Sequence, residues 1–496
     1  MTVLGSHNLL TRRLAVFSPT LTTTQLQMDA ALNAAQELTG DWKTAALALA
    51  APLVISRLSS VFRNAAFSYR MAAFSEATFV EAGAGVLART SSFAKWGRVA
   101  GTTFGMGALL AACGGNEFET GSPAPPRTLE VQGSEYSVTP SASTGTNQGF
   151  AATLNTNGQL AVTWADYNPS NPNPSAVNLR VFSASGNPSS AVEIERPPGA
   201  VSLSPSISND EAGNILAAWT NSMGPDSPSG VRARRYSAGA QAQGNSFPIV
   251  PLENHMPPIM GTVALNPDRS FIVVSNENSS DCGVCVRTYG ADNIQRSVQT
   301  LSEAHVSVLA SDLARNSQGD WAWAGLLADN NGGRSVRFRY FNNGTGLRPA
   351  VTVPIGNPGA GTGIKIAVLP NDHSLVVWQS SQGLRGMVFA ADGSTLSSQI
   401  SLNSLPPGFS FSATSDETGA FVVAWEEGST KQIHASLLAS DGRIISDNIN
   451  ISGTSSNNHE VVVTGNEGGH ISFVWRRFQP SPAGYTLAAK NYQIRY

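Results

Sequence analysis

Charge is scarce in this sequence. Only 13% of the 496 residues are charged, and 31 Lys and Arg are set against 34 Asp and Glu for a net charge of -3. A nucleic-acid surface needs clustered basic residues, and these are dispersed, so no nucleic-acid partner is expected. Long apolar runs are also missing: no stretch reaches the 18 or more residues of an ordinary membrane-spanning helix. The seven His are scattered without H-x-x-x-H or triad spacing, and no Gly-rich loop leads from a strand into a helix. No metal or cofactor is therefore implied. Cysteine is nearly absent, with only Cys113, Cys282 and Cys285. What is plentiful is turn chemistry, with 47 Gly and 28 Pro alongside many Ser and Asn, which suits an all-β chain.

The first 113 residues differ in composition. Residues 1–87 are Ala-rich and poor in turn clusters, with an amphipathic helical pattern at Thr24–Leu38 and a short apolar segment at Thr44–Ser56 interrupted by Pro52. Residues 88–113 are more informative. Arg89, Lys95 and Arg98 precede an uncharged run from Val99 to Ala112, and Leu-Ala-Ala-Cys follows at 110–113. A basic start, an apolar middle and a small-residue end form the order of a secretory signal. Ending in Cys, this stretch resembles the signal of a bacterial lipoprotein. That resemblance implies that Cys113 is acylated and becomes the first mature residue, anchoring the chain to a membrane. The position departs from the family pattern, since such signals sit at the extreme N-terminus. Either translation starts downstream, at Met71 or near Val86 or Leu87, or the signal is internal. The competing structural reading makes Val99–Ala112 a buried helix of a small N-terminal domain. Residues 114–127 are polar with Gly and Pro, and read as a tether.

From residue 128 onward the chain repeats itself. Apolar strands end at Trp164, Trp219, Trp378, Trp425 and Trp475, and degenerate copies end at Ser275 and Gly325. The intervals are 55, 56, 50, 53, 47 and 50 residues. An alternating strand follows each one, as in Val231–Tyr236 and Ser335–Tyr340, usually with a Gly- or Asn-bearing turn after it. The continuous apolar strand is expected to be covered on both faces, and the alternating one to have a wetter face. Short outer strands complete four per unit. The chain ends after the seventh alternating strand, and an unpaired strand candidate, Glu135–Ser141 with Thr128–Val131, precedes the first unit. If it pairs with the last unit, the ring closes and exposed edges disappear. The expected fold is an all-β, seven-bladed β-propeller over 128–496, its last blade closed by the N-terminal strand, preceded by a helical or disordered N-terminal segment. A row of small sandwich domains fits worse, because a sandwich needs about 100 residues. The repeats resemble those of bacterial secreted and surface proteins; the resemblance covers about 370 residues and implies fold and location, not activity.

Few residues announce chemistry. Cys282 and Cys285 lie at a turn without further ligands, so a local structural disulfide is the leading reading over free thiols or metal and redox work. Arg180, Arg232, Arg234, Arg287, Arg337 and Arg339 recur on the alternating strands. Sialidases, which are propellers, grip a carboxylate with clustered arginines. These arginines occupy equivalent places in different blades, so they are expected to be splayed around the ring on a solvated face. The S-x-D-x-G turn of sialidases has only near matches, in Ser415–Gly419 and Asn209–Gly213. Glu426 and Glu427 suggest paired carboxylates, yet neighbours on a strand point to opposite faces. Asp392 and Asp441 are explained by turns. Trp321 and Trp323 read as core, with surface exposure the lesser alternative. The loops 165–175 and 221–230 share one end of the propeller and carry only Asp166 and Asp226 as acids. The sequence therefore reads as a cell-envelope lipoprotein whose propeller is a non-catalytic platform or scaffold for an envelope protein or glycan. A secreted carbohydrate-active hydrolase or lyase is the alternative.

Overall fold

The computed structural model describes residues 127–495 apart from 141–145, 168–174, 197–200, 223–229, 252–258, 277–282, 303–306, 329–332, 343–345, 348, 357–362, 405–409, 417, 456 and 481–482. The patterns at Thr24–Leu38, Thr44–Ser56 and 88–113, with Cys113, lie outside the described residues, as do Cys282 and Asp226.

Seven antiparallel sheets form a seven-bladed propeller, and no helix occurs among the described residues. The first element, β1 (Thr128–Ser137), belongs to the last blade. Blade 1 holds β2 (Thr146–Leu154), β3 (Leu160–Tyr167), β4 (Ser175–Phe182) and β5 (Val192–Glu195). Blade 2 holds β6 (Val201–Asn209), β7 (Ile215–Ser222), β8 (Gly230–Tyr236) and β9 (Phe247–Pro251). Blade 3 holds β10 (Ile259–Leu265), β11 (Phe271–Asn276), β12 (Val284–Tyr289) and β13 (Gln295–Ser302). Blade 4 holds β14 (Ser307–Arg315), β15 (Trp321–Ala328), β16 (Arg334–Asn342), the short β17 (Gly346–Leu347) and β18 (Val351–Gly356). Blade 5 holds β19 (Ile364–Val368), β20 (Ser374–Ser380), β21 (Gly383–Phe389) and β22 (Ile400–Ser401). Blade 6 holds β23 (Phe411–Ser415), β24 (Ala420–Glu426), β25 (Ile433–Ala439) and β26 (Ile444–Asn450). Blade 7 holds β27 (Asn458–Gly465), β28 (His470–Pro480) and β29 (Ala483–Arg495), with β1 as its fourth strand.

The expected closure is therefore present, and the closing strand runs unbroken from Thr128 but ends at Ser137 rather than Ser141. Thr128 pairs with Arg495 and Ser137 with Ala488, with a register shift between Gln132 and Tyr136.

The innermost strands face an edge problem, since each has backbone groups that its own blade does not pair. Side chains from the neighbouring blade meet them. Val263 and Leu265 donate their N–H groups to Ser206 (3.2 Å) and Ser208 (3.0 Å) of the preceding blade. Val461, Val463 and Gly465 donate likewise to Ser410, Ser412 and Thr414 at 3.2, 3.1 and 3.0 Å. The recipients are two residues apart because a strand points alternate N–H groups to the same edge. Asp312 spans three blades, accepting from Thr262 (3.0 Å) and from the Ile366 N–H (3.1 Å). At the closing seam, Asn466 Nδ2 donates to the Asn155 carbonyl at 2.7 Å.

The seven apolar clusters each combine residues of two adjacent blades. Trp164, Trp219, Trp378, Trp425 and Trp475 are buried there at one repeated position. Blade 4 has Gly325 at that position, and the Trp323 ring fills the space: a Cβ on Gly325 would lie 2.5 Å from it. Blade 3 has the buried Ser275, which accepts a 3.0 Å bond from Arg287. Trp321 and Trp323 are thus core, not surface; Trp321 stacks on Phe341 with centroids 3.6 Å apart.

The alternating-strand arginines stay splayed, but they are not simply solvated. Arg180 Nη1 donates to the Val138 carbonyl beyond β1 (2.8 Å), and Arg234 Nη1 to the Ile194 carbonyl of β5 (3.2 Å). Each reaches back to the outermost strand of the preceding blade. Tyr289 and Tyr492 do the same toward the Ile249 and Ile451 carbonyls. Burial pushes both phenols up to about 12, so they remain protonated donors at neutral pH.

A methyl group separates filled from open glycine positions. Gly325→Ala forces the buried Trp323 ring to move and should cost about 1–3 kcal/mol. Gly386→Ala meets nothing closer than 3.4 Å and should change stability by less than about 1 kcal/mol. Denaturant unfolding of the two variants checks this.

Candidate functional site

Antiparallel connections put two kinds of loop at opposite ends of each blade. The first-to-second and third-to-fourth strand turns are short and regular. In Asn155–Gln159 the first N–H donates to the fifth carbonyl, and the fourth N–H to the first carbonyl, both at 3.0 Å. Asp416, at the start of the near match to a sialidase turn, receives the Ala420 N–H at 2.6 Å and so serves its own turn. Asp392 and Asp441 likewise receive the N–H groups of Ser394 and Arg443, both at 2.9 Å.

The other end carries the longer connections, and charge collects there in blades 6 and 7. Following the repeated Trp position, blade 6 presents Glu426 and Glu427, and blade 7 presents Arg476 and Arg477. The other blades place Ala165 and Asp166, Thr220 and Asn221, Asn276, Leu326 and Leu327, or Gln379 and Ser380 there. The two glutamates point to different seams, as strand geometry requires. Glu426 is buried toward blade 7. Its Oε1 accepts from Lys431 Nζ at 2.8 Å and lies 3.6 Å from His459 Nδ1, while Oε2 accepts the Glu460 N–H at 3.3 Å. Glu427 lies toward blade 5, where Oε2 is 3.5 Å from His434 Nε2 and accepts from the Thr430 hydroxyl. The His434 ring stacks on Trp425, with centroids 6.3 Å apart and planes at 20°.

Backbone distortion brings these groups together. Lys431 and Glu460 both have positive φ, +56° and +45°. Glu460 sits where β27 shifts register against β28, between His459 and Val461. Such bulges re-aim side chains, and left-handed non-glycine residues cost energy that the surroundings must offset.

Blade 7 contributes the rest through its long β28–β29 hairpin. Phe478 pairs with Tyr485 across it, ring centroids 5.4 Å apart at 63°. The His459 ring meets Tyr485 edge-on at 6.3 Å, and the Arg476 guanidinium carbon lies 5.4 Å from the Tyr485 centroid. Arg476 also pairs with Glu460 at 2.5 Å. Arg477 is committed elsewhere, with both Nη atoms on the Glu135 carboxylate of β1 and Nε on Asn458 at 3.1 Å. That fork ties the hairpin to the closing strand. The result is a half-buried aromatic surface with a cation and an imidazole at its border, resting on a saturated buried carboxylate.

The other sequence candidates stand apart from this cluster. Asp166 accepts from Trp164 Nε1 (2.9 Å) and Asn178 Nδ2 (3.1 Å) at the end of β3. Cys285 is buried on β12 between Ser275 and Thr300, and its sulfur is disulfide-bonded. No cluster of three or more His, Cys, Asp or Glu with metal-holding geometry occurs among the described residues. Sequence reasoning found Glu426 and Glu427 but missed Lys431, His459, Glu460, Arg476 and Tyr485. The contrast of an acidic pair in one repeat with a basic pair in the next was the available signal.

Glu426→Gln removes a buried charge facing Lys431 and His459 and should destabilise by about 1–3 kcal/mol. Glu427 is one-third exposed, so Glu427→Gln should stay within about 1 kcal/mol. Chemical denaturation at neutral pH measures both.

No family model matches this chain, and no curated protein does. Among solved structures it is similar to a protein of unknown function from Dyadobacter fermentans, with 12% identity over 75% of this chain and 100% of that one and a TM-score of 0.47. It is similar to the NanB sialidase of Streptococcus pneumoniae, with 10% identity over 74% of this chain and 70% of that one and a TM-score of 0.41. It is also similar to the SapL1 lectin in complex with alpha methyl fucoside, with 11% identity, 61% and 96% coverage and a TM-score of 0.38. These are similarities of backbone architecture alone.

Proposed function

We propose that this chain is a cell-envelope lipoprotein, acylated at Cys113, whose propeller is a non-catalytic platform that binds an envelope glycan at the rim of blades 6 and 7. The observation that carries the binding assignment is the Phe478–Tyr485 pair bordered by His459 and Arg476. Aromatic faces pack against the apolar C–H face of a sugar ring, while neighbouring polar groups meet its hydroxyls. An envelope protein is the other partner such a platform admits.

The alternative, a carbohydrate-active hydrolase, calls for two carboxyl groups flanking one scissile bond. Glu426 already accepts three contacts, and Glu427 faces the other seam. This supports binding over catalysis. The anchor rests on the Leu-Ala-Ala-Cys box with its basic flank and apolar run.

Two measurements test the proposal. Mass spectrometry of the protein from its native host should find a mature chain starting at lipid-modified Cys113, and processing should be lost in Cys113→Ala. An unmodified Cys113 within an intact N-terminus would contradict the anchor. Binding to an array of envelope glycans should weaken at least tenfold in Tyr485→Ala and Arg476→Ala. Unchanged binding in both variants would exclude this rim, and glycosidic turnover by the wild type would exclude the non-catalytic reading.

A further inference from the structure

The opposite end of the propeller holds a second unusual constellation, at the seam between blades 2 and 3. Arg235 lies on β8 at the register position facing Leu216. The equivalent residues of other blades are Val181, Thr288, Tyr340, Val388, Leu437 and Asn491. A charged residue at this position is peculiar to blade 2, and Arg235 is only 5% exposed. Its side chain crosses the seam: Nε donates to Asn293 Oδ1 and Nη2 to the Arg269 carbonyl, both at 2.8 Å, and its guanidinium carbon sits 5.1 Å from the Phe271 centroid.

Arg269 crosses in the other direction. It belongs to the turn Asn266–Ser270 of blade 3, and its Nη2 donates to Gln243 of blade 2. Its Nε is buried and without a hydrogen-bond partner. Neither Arg235 nor Arg269 forms an ion pair among the described residues. The nearby carboxylates are engaged: Asp268 with the Ser270 N–H and hydroxyl, Asp292 with Arg296, and Asp210 with the Asn214 backbone and side-chain amides. Burial, and then repulsion by Arg269, pulls the Arg235 guanidinium below its ordinary value, with Asp210 opposing. Two like charges held together without a direct ion pair are costly unless something anionic compensates them.

The backbone is distorted at the same place. Arg269 has φ +66° and Asn293 φ +64°. At the position of Arg269, five of the six sister turns have Gly158, Gly213, Gly319, Gly419 and Gly469 and the sixth has the short Asp372, all at positive φ. A long side chain where glycine is the unstrained choice marks a residue retained for its side chain. Both left-handed residues touch Arg235.

We propose that Arg235 and Arg269 form an oxyanion site that takes a phosphate or sulfate group carried by a ligand. Beyond the bonds to Asn293, the Arg269 carbonyl and Gln243, the two guanidiniums retain N–H donors suited to a tetrahedral oxyanion. The site is at the end of the propeller away from the blade 6–7 rim, so it stands or falls independently of glycan binding there.

The test uses the whole protein with inorganic phosphate and sulfate at constant ionic strength, following Tm. A ligand that binds the folded state alone raises Tm with concentration. The wild type should show a saturable rise at millimolar anion. Arg269→Gly restores the residue of the sister turns, so it should hold or raise Tm in chloride while losing that response. Arg235→Gln should lose it as well. A wild type without a saturable response, or an Arg269→Gly variant that responds as the wild type does, would overturn the proposal. Repeating the titration with glycerol phosphate and galactose 6-sulfate separates the sources: the tighter binder identifies the ester, and the response to both should vanish in Arg269→Gly.

Discussion

The structure depends on how seven strand edges meet around one axis. Each innermost strand pairs with its own blade on one side only, and its remaining N–H groups point at a neighbour too distant for a shared backbone ladder. Ser206, Ser208, Ser410, Ser412 and Thr414 close that gap with short hydroxyl side chains. A buried N–H without a partner costs about 1–3 kcal/mol, so these bonds fix blade spacing and register together. At the closing seam the side chain donates instead: Asn466 Nδ2 bonds the Asn155 carbonyl, joining residues 311 positions apart.

With spacing fixed, the indoles become the packing units. A Trp at the repeated position fills one seam, and the exceptions show that the space, not the residue, is preserved. Trp323 fills the volume that Gly325 leaves in blade 4. Ser275 and Arg287 occupy the corresponding place in blade 3 with a hydrogen bond. The repeat was legible in the sequence because such strands must be apolar on both faces, and the Trp landmarks recur. Closure was legible because a strand was missing at one end of the array and spare at the other. The hydroxyl ladder was visible only as Ser-x-Ser spacing, whose meaning depends on a neighbour about 50 residues away. The arginines misled for a related reason: alternation shows which face they occupy, but not that Arg180 and Arg234 reach the outer strand of another blade.

The two candidate sites follow from departures within this regular frame. Six of the seven blades do without an acidic pair after the Trp position, and blade 6 has one; blade 7 answers with a basic pair. Their partners, Lys431 and Glu460, are left-handed non-glycine residues, as are Arg269 and Asn293 at the other end. Single-sequence patterns cannot reveal such residues, because the strain is defined by backbone placement. Comparison among the repeats can for Arg269 and Asn293, since most of their equivalent turns have glycine. The same comparison marks Arg235, a charge at a position where sister blades have uncharged residues. Regular repeats thus supply rigidity, and the irregular ones carry the two candidate sites at separate ends.

Hydrogen exchange of the innermost-strand amides tests the edge-sealing account most directly. The N–H groups of Val263, Leu265, Val461, Val463 and Gly465 should exchange only through global unfolding, as slowly as the amides of the Trp-bearing strands. Ser412→Ala should accelerate exchange at Val463 selectively. Fast exchange of these amides in the wild type, at rates typical of an exposed strand edge, would contradict the claim that cross-seam hydroxyls hold the ring together.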